Sequence, residues 1–402
     1  MEDRPSAESL ISIFGDKRVT GLKAFILLSL TLPIFLNLIF CLIEEWSDFF
    51  DRLLTLKEIM LILFSAIGGY VVQFHLRDVE EKYILKYLAN AKNYETSDEK
   101  RKIINETNDY ITRHNIVAQR AFKFLFISGG CLPLLQITIK TLKMYLTGAE
   151  AGKMAFVIHL YLPEGYKTPL MYLSTQLAAF VLYGFLVYMW GVNYKVFLIG
   201  LKCISSEVSL LIESLKELDG FEKRRAIAES TGNEEPLAVV SADHERRLKD
   251  HLNRTVEHHQ DILLSLKLVN DCTKLYIFLF INVYSIQLGL YIIFVIKLKE
   301  LAQKMKYVFT YMVILFIQMQ WAIYAQDIQD NGEKLRMALY SCSWLDKPQW
   351  MKRCLVLMIM KANQPLELRP YGLYALNKSC MANMMKATYT YVNVVNELLS
   401  RK

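Results

Sequence analysis

The last hydrophobic segment of the chain reads CMANMMKATYTYVNVVNELL (Cys380–Leu399), and it is far more polar than the six hydrophobic segments before it. Its polar and charged side chains are Asn383, Lys386, Asn393, Asn396 and Glu397. A polar stripe on a membrane helix is costly in lipid unless the stripe faces water or another protein. The segment therefore predicts a helix that lines an aqueous path shared with other copies or partner subunits.

The six earlier segments are apolar, carry no charged residue and approach the roughly 20 helical residues that cross a bilayer core. They are Ala24–Ile43, Ile59–Phe74, Phe124–Ile139, Thr168–Tyr194, Leu275–Ile296 and Tyr307–Gln326. The whole chain is 53% hydrophobic with a mean hydropathy of +0.22, which is high for a soluble protein. We therefore predict an all-α membrane protein with seven transmembrane helices.

The charges beside the first span predict its orientation. Basic residues precede the span and acidic residues follow it: Lys17, Arg18 and Lys23, then Glu44, Glu45, Asp48 and Asp51. The positive-inside rule places the N-terminus in the cytoplasm and, after seven spans, the C-terminus outside. In this orientation the outer connections Glu44–Glu58 and Lys297–Lys306 are short. The connection Lys297–Lys306 is basic, however, which argues for the opposite orientation.

The inner connections carry helical patterns outside the membrane. Apolar residues continue at helical spacing beyond the fourth span, namely Val196, Ile199, Ile204, Val208, Leu211, Leu215 and Leu218. Glu229–Ala242 is predicted to be a loop, a second amphipathic stretch leads from Asp243 into the fifth span, and Trp350–Met360 is predicted to be a short helix. The apolar faces of these helices lie outside the membrane and have to be buried against other protein surfaces. A cytoplasmic helical bundle, packed within and between subunits, would bury them.

The predicted organisation follows from these spans and patterns. It comprises a cytoplasmic N-terminus (1–23), transmembrane helices one to four (24–194) with a cytoplasmic loop (77–123), cytoplasmic amphipathic helices (195–274), transmembrane helices five and six (275–326), a cytoplasmic anchor segment (327–374) and the pore-lining last helix (375–402).

Signals for catalysis, metal binding and nucleic-acid binding are weak. The net charge of +7 is spread through loops, so a nucleic-acid partner is not predicted. The seven cysteines lack metal-ligand spacing, and His251, His258 and His259 are interpreted as a solvated helix face. Gly148–Lys153 resembles a phosphate loop but is one residue short and lacks the following Ser or Thr. We predict no enzyme and no cofactor.

Seven spans also suggest a G-protein-coupled receptor. The third span ends without an Asp-Arg-Tyr-like triplet, and the last contains no Asn-Pro-x-x-Tyr. The predicted cytoplasmic N-terminus is also on the wrong side for that class. A G-protein-coupled receptor fold is therefore not predicted.

The C-terminal part resembles the signature of insect odorant receptors. Its elements are Tyr340 with Trp344, a basic amphipathic helix from Trp350, the Gln364-Pro365 turn, Tyr371, Leu376-Asn377 and Thr390-Tyr391. Tyr324, Gly332 and Leu335 are similar to the family's motif at the inner end of its sixth span, except that Ala325 stands where a Cys usually follows the Tyr. The closing pattern of gustatory receptors is absent. The specific resemblance covers Tyr324 to the end.

The resemblance implies a tuning subunit of a ligand-gated, non-selective cation channel that forms a heterotetramer with the Orco co-receptor. It implies a plasma-membrane location in olfactory neuron dendrites, with volatile odorants, membrane lipids and permeating cations as partners. The connection between the fourth and fifth spans lacks the length expected of Orco itself. The alternative is a metabotropic seven-helix chemoreceptor that couples through its cytoplasmic loops.

The resemblance also implies residues for the pore and for the ligand. Aligning the closing Thr-Tyr places Val394 at the pore narrowing, Glu397 at a polar position one turn later, and Asn393 and Leu398 beside them. The family commonly has a neutral residue where Glu397 stands. The ligand pocket is expected in the outer half of the bundle, on spans two, three, four and six, at Phe64, Ser128, Cys131, Met171, Gln176, Phe180, Tyr311 and Leu315.

Overall fold

The computed structural model describes residues 17–44, 49–71, 97–147, 157–160, 168–230, 237–342 and 348–400, together with residues 79, 83, 84 and 87. Most of the predicted N-terminal segment 1–23 and of the connection 72–96 lies outside the described residues. Within the described part every regular element is helical and no strand occurs. The predicted all-α fold is confirmed.

Nine α-helices succeed one another along the described residues: α1 (Lys17–Glu44), α2 (Phe49–Val71), α3 (Asp98–Phe126), α4 (Leu132–Thr147), α5 (Pro169–Ser230), α6 (Leu237–Lys297), α7 (Leu301–Ser341), α8 (Gln349–Ala362) and α9 (Lys378–Ser400). A π-helical turn (Ile127–Cys131) joins α3 to α4, and a 3₁₀ turn (Pro370–Gly372) precedes α9. Helix α5 lies at the centre and packs against α3, α6 and α7, while α9 lies against α6 and α7.

Each predicted span lies on one of these helices, as far as it is described, except the third, which runs from the end of α3 through the π-helical turn into α4. Among the described residues, four helices are long and apolar enough to cross a membrane: Asp98–Thr147, Pro169–Leu218, Glu245–Lys297 and Gln303–Ser341. A shorter apolar helix covers Thr31–Ile43 within α1. The other two predicted spans lie in α2 and α9, which have 23 residues each and carry more charged or polar side chains.

Two helices are far longer than a bilayer requires. Helix α5 has 62 residues and α6 has 61, so each extends about 90 Å at 1.5 Å per residue. The predicted continuation of the fourth span as a helix is confirmed, and its apolar face is buried at Leu211, Leu215 and Leu218. The predicted loop Glu229–Ala242 is too long, because α5 continues to Ser230 and α6 begins at Leu237.

The predicted cytoplasmic loop 77–123 contains a long helix from Asp98 onward. Ile104, Ile111 and Ala118 recur every seven residues along it and are buried on one face, which packs against α5. The predicted helix Trp350–Met360 is confirmed by α8.

The histidines of α6 do not form a solvated helix face. His258 and His259 are buried, and His258 Nε2 lies 3.1 Å from Glu207 Oε2 on α5. His251 Nε2 lies 3.0 Å from the carbonyl oxygen of Ser214. The prediction of solvation was wrong because α5 extends beside α6 and covers this face.

Helix α2, which carries the predicted second span, begins at Phe49, ten residues before the predicted start of that span at Ile59. Lys57 and Glu58, which the predicted outer connection includes, are 3% and 2% exposed, and Lys57 Nζ lies 2.6 Å from Glu58 Oε1. The Lys57 ammonium also lies 4.7 Å from the centre of the Tyr307 ring. Mutual neutralisation allows α2 to carry both charges inside the bundle.

Candidate functional site

An aromatic cluster fills the middle of the bundle between α2, α5, α6 and α7. Helix α6 contributes Tyr276, Phe280 and Tyr284, which are spaced four residues apart and therefore share one face. The Phe64 ring lies 5.0 Å from Tyr276 and 4.9 Å from Tyr284, and the Trp321 ring lies 4.2 Å from Phe280. Offset and edge-to-face contacts of this kind stabilise a rigid apolar wall.

This cluster borders a cavity with an empty volume of about 320 Å³. Four helices supply its walls, namely α3 with Leu125, α5 with Trp190 and Tyr194, α6 with Tyr276, Phe280 and Tyr284, and α7 with Ile314, Ile317 and Trp321. Sites for small ligands are lined mostly by apolar and aromatic side chains, with a few polar groups. The Trp190 indole N–H is already used, since it donates to Ser65 Oγ at 3.1 Å. The site suits a small apolar molecule.

A second cavity of about 270 Å³ lies between this cluster and the start of α9. It shares Phe280 and Trp321 with the first, and α9 lines it with Cys380, Met381 and Met384. Gln318, on α7, is 4% exposed, and neither atom of its amide finds a hydrogen-bond partner among the described residues. The same holds for Trp321 Nε1. A change in the first cavity can therefore reach the last helix through one shared wall.

The eight residues predicted to contact ligand do not form one site. Phe64 belongs to the aromatic cluster, and it alone of the eight is in ring contact with residues that bound the first cavity. Ser128 and Cys131 lie on the π-helical turn, and Phe180 packs beside that turn. Tyr311 and Leu315 are half-buried on α7, and Met171 is 41% exposed near the start of α5.

Gln176, one of the predicted ligand contacts, is hydrogen-bonded to the backbone of residues 157 and 158. Its amide oxygen accepts from the Val157 N–H at 2.8 Å, and its amide nitrogen donates to the Ile158 carbonyl at 3.1 Å. The side chain is fully buried. These bonds fasten residues 157–160 to α5, so the amide is occupied by the protein itself.

The π-helical turn permits very close packing. A Cβ on Gly129 would lie 2.0 Å from the Tyr183 hydroxyl, and a Cβ on Gly130 would lie 3.1 Å from the Phe180 ring. The Tyr183 hydroxyl donates to the Leu125 carbonyl at 3.1 Å across this contact. Only glycine allows α5 to approach here, and the contact fixes Leu125 at the cavity wall.

Helix α9 has one packed face and one open face. Thr388 Oγ1 donates to the Ser285 carbonyl of α6 at 3.1 Å, and Gly289 of α6 lies against Tyr391 and Val392. The predicted pore residues lie toward the other side and are exposed in the single chain: Asn393, Val394, Glu397 and Leu398. Val394 is 52% and Leu398 48% exposed. An open helix face with mixed polar and apolar residues is the feature expected of a pore shared between subunits.

No group of three or more His, Cys, Asp or Glu side chains that could hold a metal ion occurs within the described residues. The aromatic cavity and its neighbour, with their largely apolar linings, are the candidate site.

These features define a class of protein: an all-helical membrane protein with long helices that extend beyond the bilayer, and not a G-protein-coupled receptor fold. Two solved structures share the fold, both of the insect olfactory receptor OR5 from Machilis hrabei. The receptor alone matches with a TM-score of 0.72 and 14% identity, over 92% of this chain and 87% of that chain. Its complex with eugenol matches with a TM-score of 0.73 and 14% identity, over 93% and 88%.

A family model described as 7tm odorant receptor matches residues 83–389. The chain therefore belongs to the insect odorant receptor family, as the C-terminal motifs predicted. Odorant receptor 10 of Aedes albopictus is 24% identical over 88 residues. That alignment covers 21% of this chain and 24% of the relative's length.

Proposed function

We propose that the chain is a tuning subunit of a ligand-gated, non-selective cation channel in the plasma membrane, assembled with the Orco co-receptor. The observation that carries the proposal is the aromatic cavity, which shares Phe280 and Trp321 with a second cavity against α9. Because the second cavity lies against α9, the predicted pore helix, a ligand in the first cavity can act on that helix through the shared residues. The eugenol complex of the Machilis hrabei receptor supports small odorants as the ligand class.

The ligand in this proposal is a small, volatile, largely apolar molecule. Dispersion contacts with aromatic walls give modest affinity and broad selectivity. Phe64 is retained as a wall residue of the aromatic cluster, and the other seven predicted residues are proposed as a shell that shapes access to it. Leu125, Trp190, Tyr276, Phe280, Tyr284, Ile314, Ile317 and Trp321 are added as direct contacts.

Gating is proposed to be a population shift. The ligand has to bind the open arrangement more tightly than the closed one, since equal affinity for both would shift nothing. A ligand that wedges Trp321 toward the second cavity would displace Met381 and Met384 and move α9. A ring of Val394 side chains would close the pore by dewetting, and Glu397 near the outer mouth would attract cations.

Co-expression with Orco and a screen against an odorant panel test the function. We expect odorant-evoked current in excised patches without nucleotide, and no current when the co-receptor is omitted. Current that requires cytosol and guanine nucleotide would support a metabotropic receptor instead. Robust current from this chain alone would contradict its assignment as a tuning subunit.

Replacing Val394 by alanine is expected to raise the basal current several-fold, because a smaller apolar ring admits water more readily. Val392→Ala is the matched control, since Val392 lies on the packed face against Gly289. Basal and evoked currents, normalised to surface protein, provide the measurement. Unchanged basal current in Val394→Ala channels would place the gate elsewhere on α9.

A further inference from the structure

A third cavity of about 320 Å³ lies between α3, α5 and α7, at the end of the bundle predicted to face the cytoplasm. Tyr194 lines both this cavity and the aromatic cavity. Its walls are largely apolar, with the tyrosine rings of Tyr110, Tyr194 and Tyr324 around it. This third cavity is distinct from the proposed odorant site.

Two lysines give this cavity an excess of positive charge. Lys195 is half-buried and makes no hydrogen bond or ion pair with any described residue. The Lys202 ammonium lies 4.9 Å from the centre of the Tyr110 ring. Asp327 is the nearby carboxylate, and burial raises its pKa while Lys202 opposes that shift. No carboxylate is among the residues that line this cavity, so the two lysines are its charged groups.

The histidine of the cavity is expected to be neutral. Burial, together with the charge of Lys202, lowers the pKa of His114. His114 Nε2 is in hydrogen-bond contact with the Tyr110 hydroxyl. His114 precedes the predicted third span and Asp327 follows the predicted sixth, so both lie outside the predicted membrane-spanning segments. The positive charge available to a ligand therefore comes from Lys195 and Lys202.

Buried polar atoms without partners also line the third cavity. Tyr324 is 2% exposed, and its hydroxyl has no hydrogen-bond partner among the described residues. The buried Asn115 Oδ1 has none there either. Buried hydroxyls and amides are almost always hydrogen-bonded in native proteins. A hydroxyl without a partner, in a cavity that two lysines also line, is suited to donate to an anionic ligand.

We infer that the third cavity is a second ligand site, for an amphiphile with an anionic carboxylate or phosphate head and a short apolar body. The head would lie between Lys195 and Lys202 and accept from the Tyr324 hydroxyl. The body would lie on the tyrosine rings and on Leu198. A free fatty carboxylate and the headgroup of an anionic phospholipid share this chemistry. Basic pockets between transmembrane helices on the cytoplasmic side suit such headgroups.

Photolabelling tests the site on the full chain in phosphatidylcholine nanodiscs. The probe is octanoate carrying a terminal diazirine, and the control probe is the octanol of the same length and label. We expect octanoate to label peptides that contain Tyr110, Leu198 or Tyr324, and octanol to label them far less. Lys195→Gln and Tyr324→Phe should each reduce this labelling about tenfold, the effect of one charge-assisted hydrogen bond.

Two variants separate loss of the site from loss of the fold. Lys195→Arg keeps the charge and should retain labelling, and Lys249→Gln removes an exposed lysine of α6 and should leave labelling unchanged. Equal labelling by octanol, labelling confined to other peptides, or full labelling of Lys195→Gln would overturn the proposal.

Competition experiments identify the source of the anionic ligand. Loss of labelling with phosphatidic acid in the nanodisc indicates a lipid headgroup, and loss only with unlabelled octanoate indicates a free carboxylate.

Discussion

Replacing Trp321 by alanine is expected to abolish the odorant-evoked current and to lower the free energy of unfolding by about 3–5 kcal/mol. The side chain is 1% exposed, and its ring lies 4.2 Å from Phe280, 4.8 Å from Phe197 and 5.7 Å from Tyr276. Trp321 bounds both cavities, so its removal joins them. A ligand would then lose one wall, and its binding could no longer displace a side chain toward α9.

Loss of current could also follow from loss of folded protein, and Phe294→Ala controls for this. Phe294 is fully buried and packs against Phe50 at 5.6 Å and Tyr307 at 5.2 Å, away from both cavities. We expect a similar loss of stability, while channels that reach the surface keep their odorant concentration dependence. Currents normalised to surface protein provide the comparison. Trp321→Ala channels with an unaltered half-maximal odorant concentration would refute the role of this wall.

Trp321→Phe gives a milder version of the same test. It keeps an aromatic wall and removes Nε1, which has no hydrogen-bond partner among the described residues. Stability should therefore change less than in Trp321→Ala. A loss of sensitivity confined to odorants with an acceptor group would indicate that Nε1 contacts the ligand.

The membrane-spanning helices could be predicted because a long apolar run without charges is typical of a helix that crosses a lipid bilayer. The extension of α5 could be predicted from apolar spacing that continued beyond the fourth span. The start of α2 could not be predicted. Lys57 and Glu58 are adjacent charges that usually mark a loop, and their burial depends on tertiary contacts such as that of Lys57 with Tyr307, which the sequence does not reveal.

The candidate cavity was not predicted, although one signal for it stood in the sequence. Tyr276, Phe280 and Tyr284 recur every four residues on the fifth span, but such a stripe in an apolar helix usually reflects ordinary packing. The stripe lines a cavity because Trp321 of α7 lies across from it. This is a tertiary contact between α6 and α7, which the sequence does not show. Gln176 illustrates the converse: a buried amide in an apolar span suggests ligand recognition, yet here it fastens the backbone at residues 157 and 158.

Replacing Glu58 by glutamine is expected to lower the free energy of unfolding by about 3–5 kcal/mol, because it leaves the Lys57 ammonium buried without a counter-charge. The remaining contacts cannot compensate. The Tyr307 hydroxyl lies 3.4 Å from Lys57 Nζ, and its ring provides only a cation–π contact at 4.7 Å. Thermal unfolding and the monodisperse fraction in detergent provide the measurements. Lys57→Met should be destabilising for the same reason, with the opposite charge left behind.

The double variant Lys57→Leu/Glu58→Leu distinguishes a required charge pair from a tolerated one. Replacing a buried ion pair by apolar residues of similar size is often neutral or stabilising, so we expect the double variant to be more stable than either single one. Glu300→Gln is the matched control. Its pair with Lys140 at 3.0 Å is 43% and 37% exposed, and its loss should cost less than about 1 kcal/mol. If the double variant is as unstable as Glu58→Gln, the attraction between Lys57 and Glu58 does not explain their effect on stability. The two side chains would then hold α2 against α7 through other contacts. In that case the register of α2, which sets the position of Phe64 at the aromatic cluster, would depend on the charges themselves.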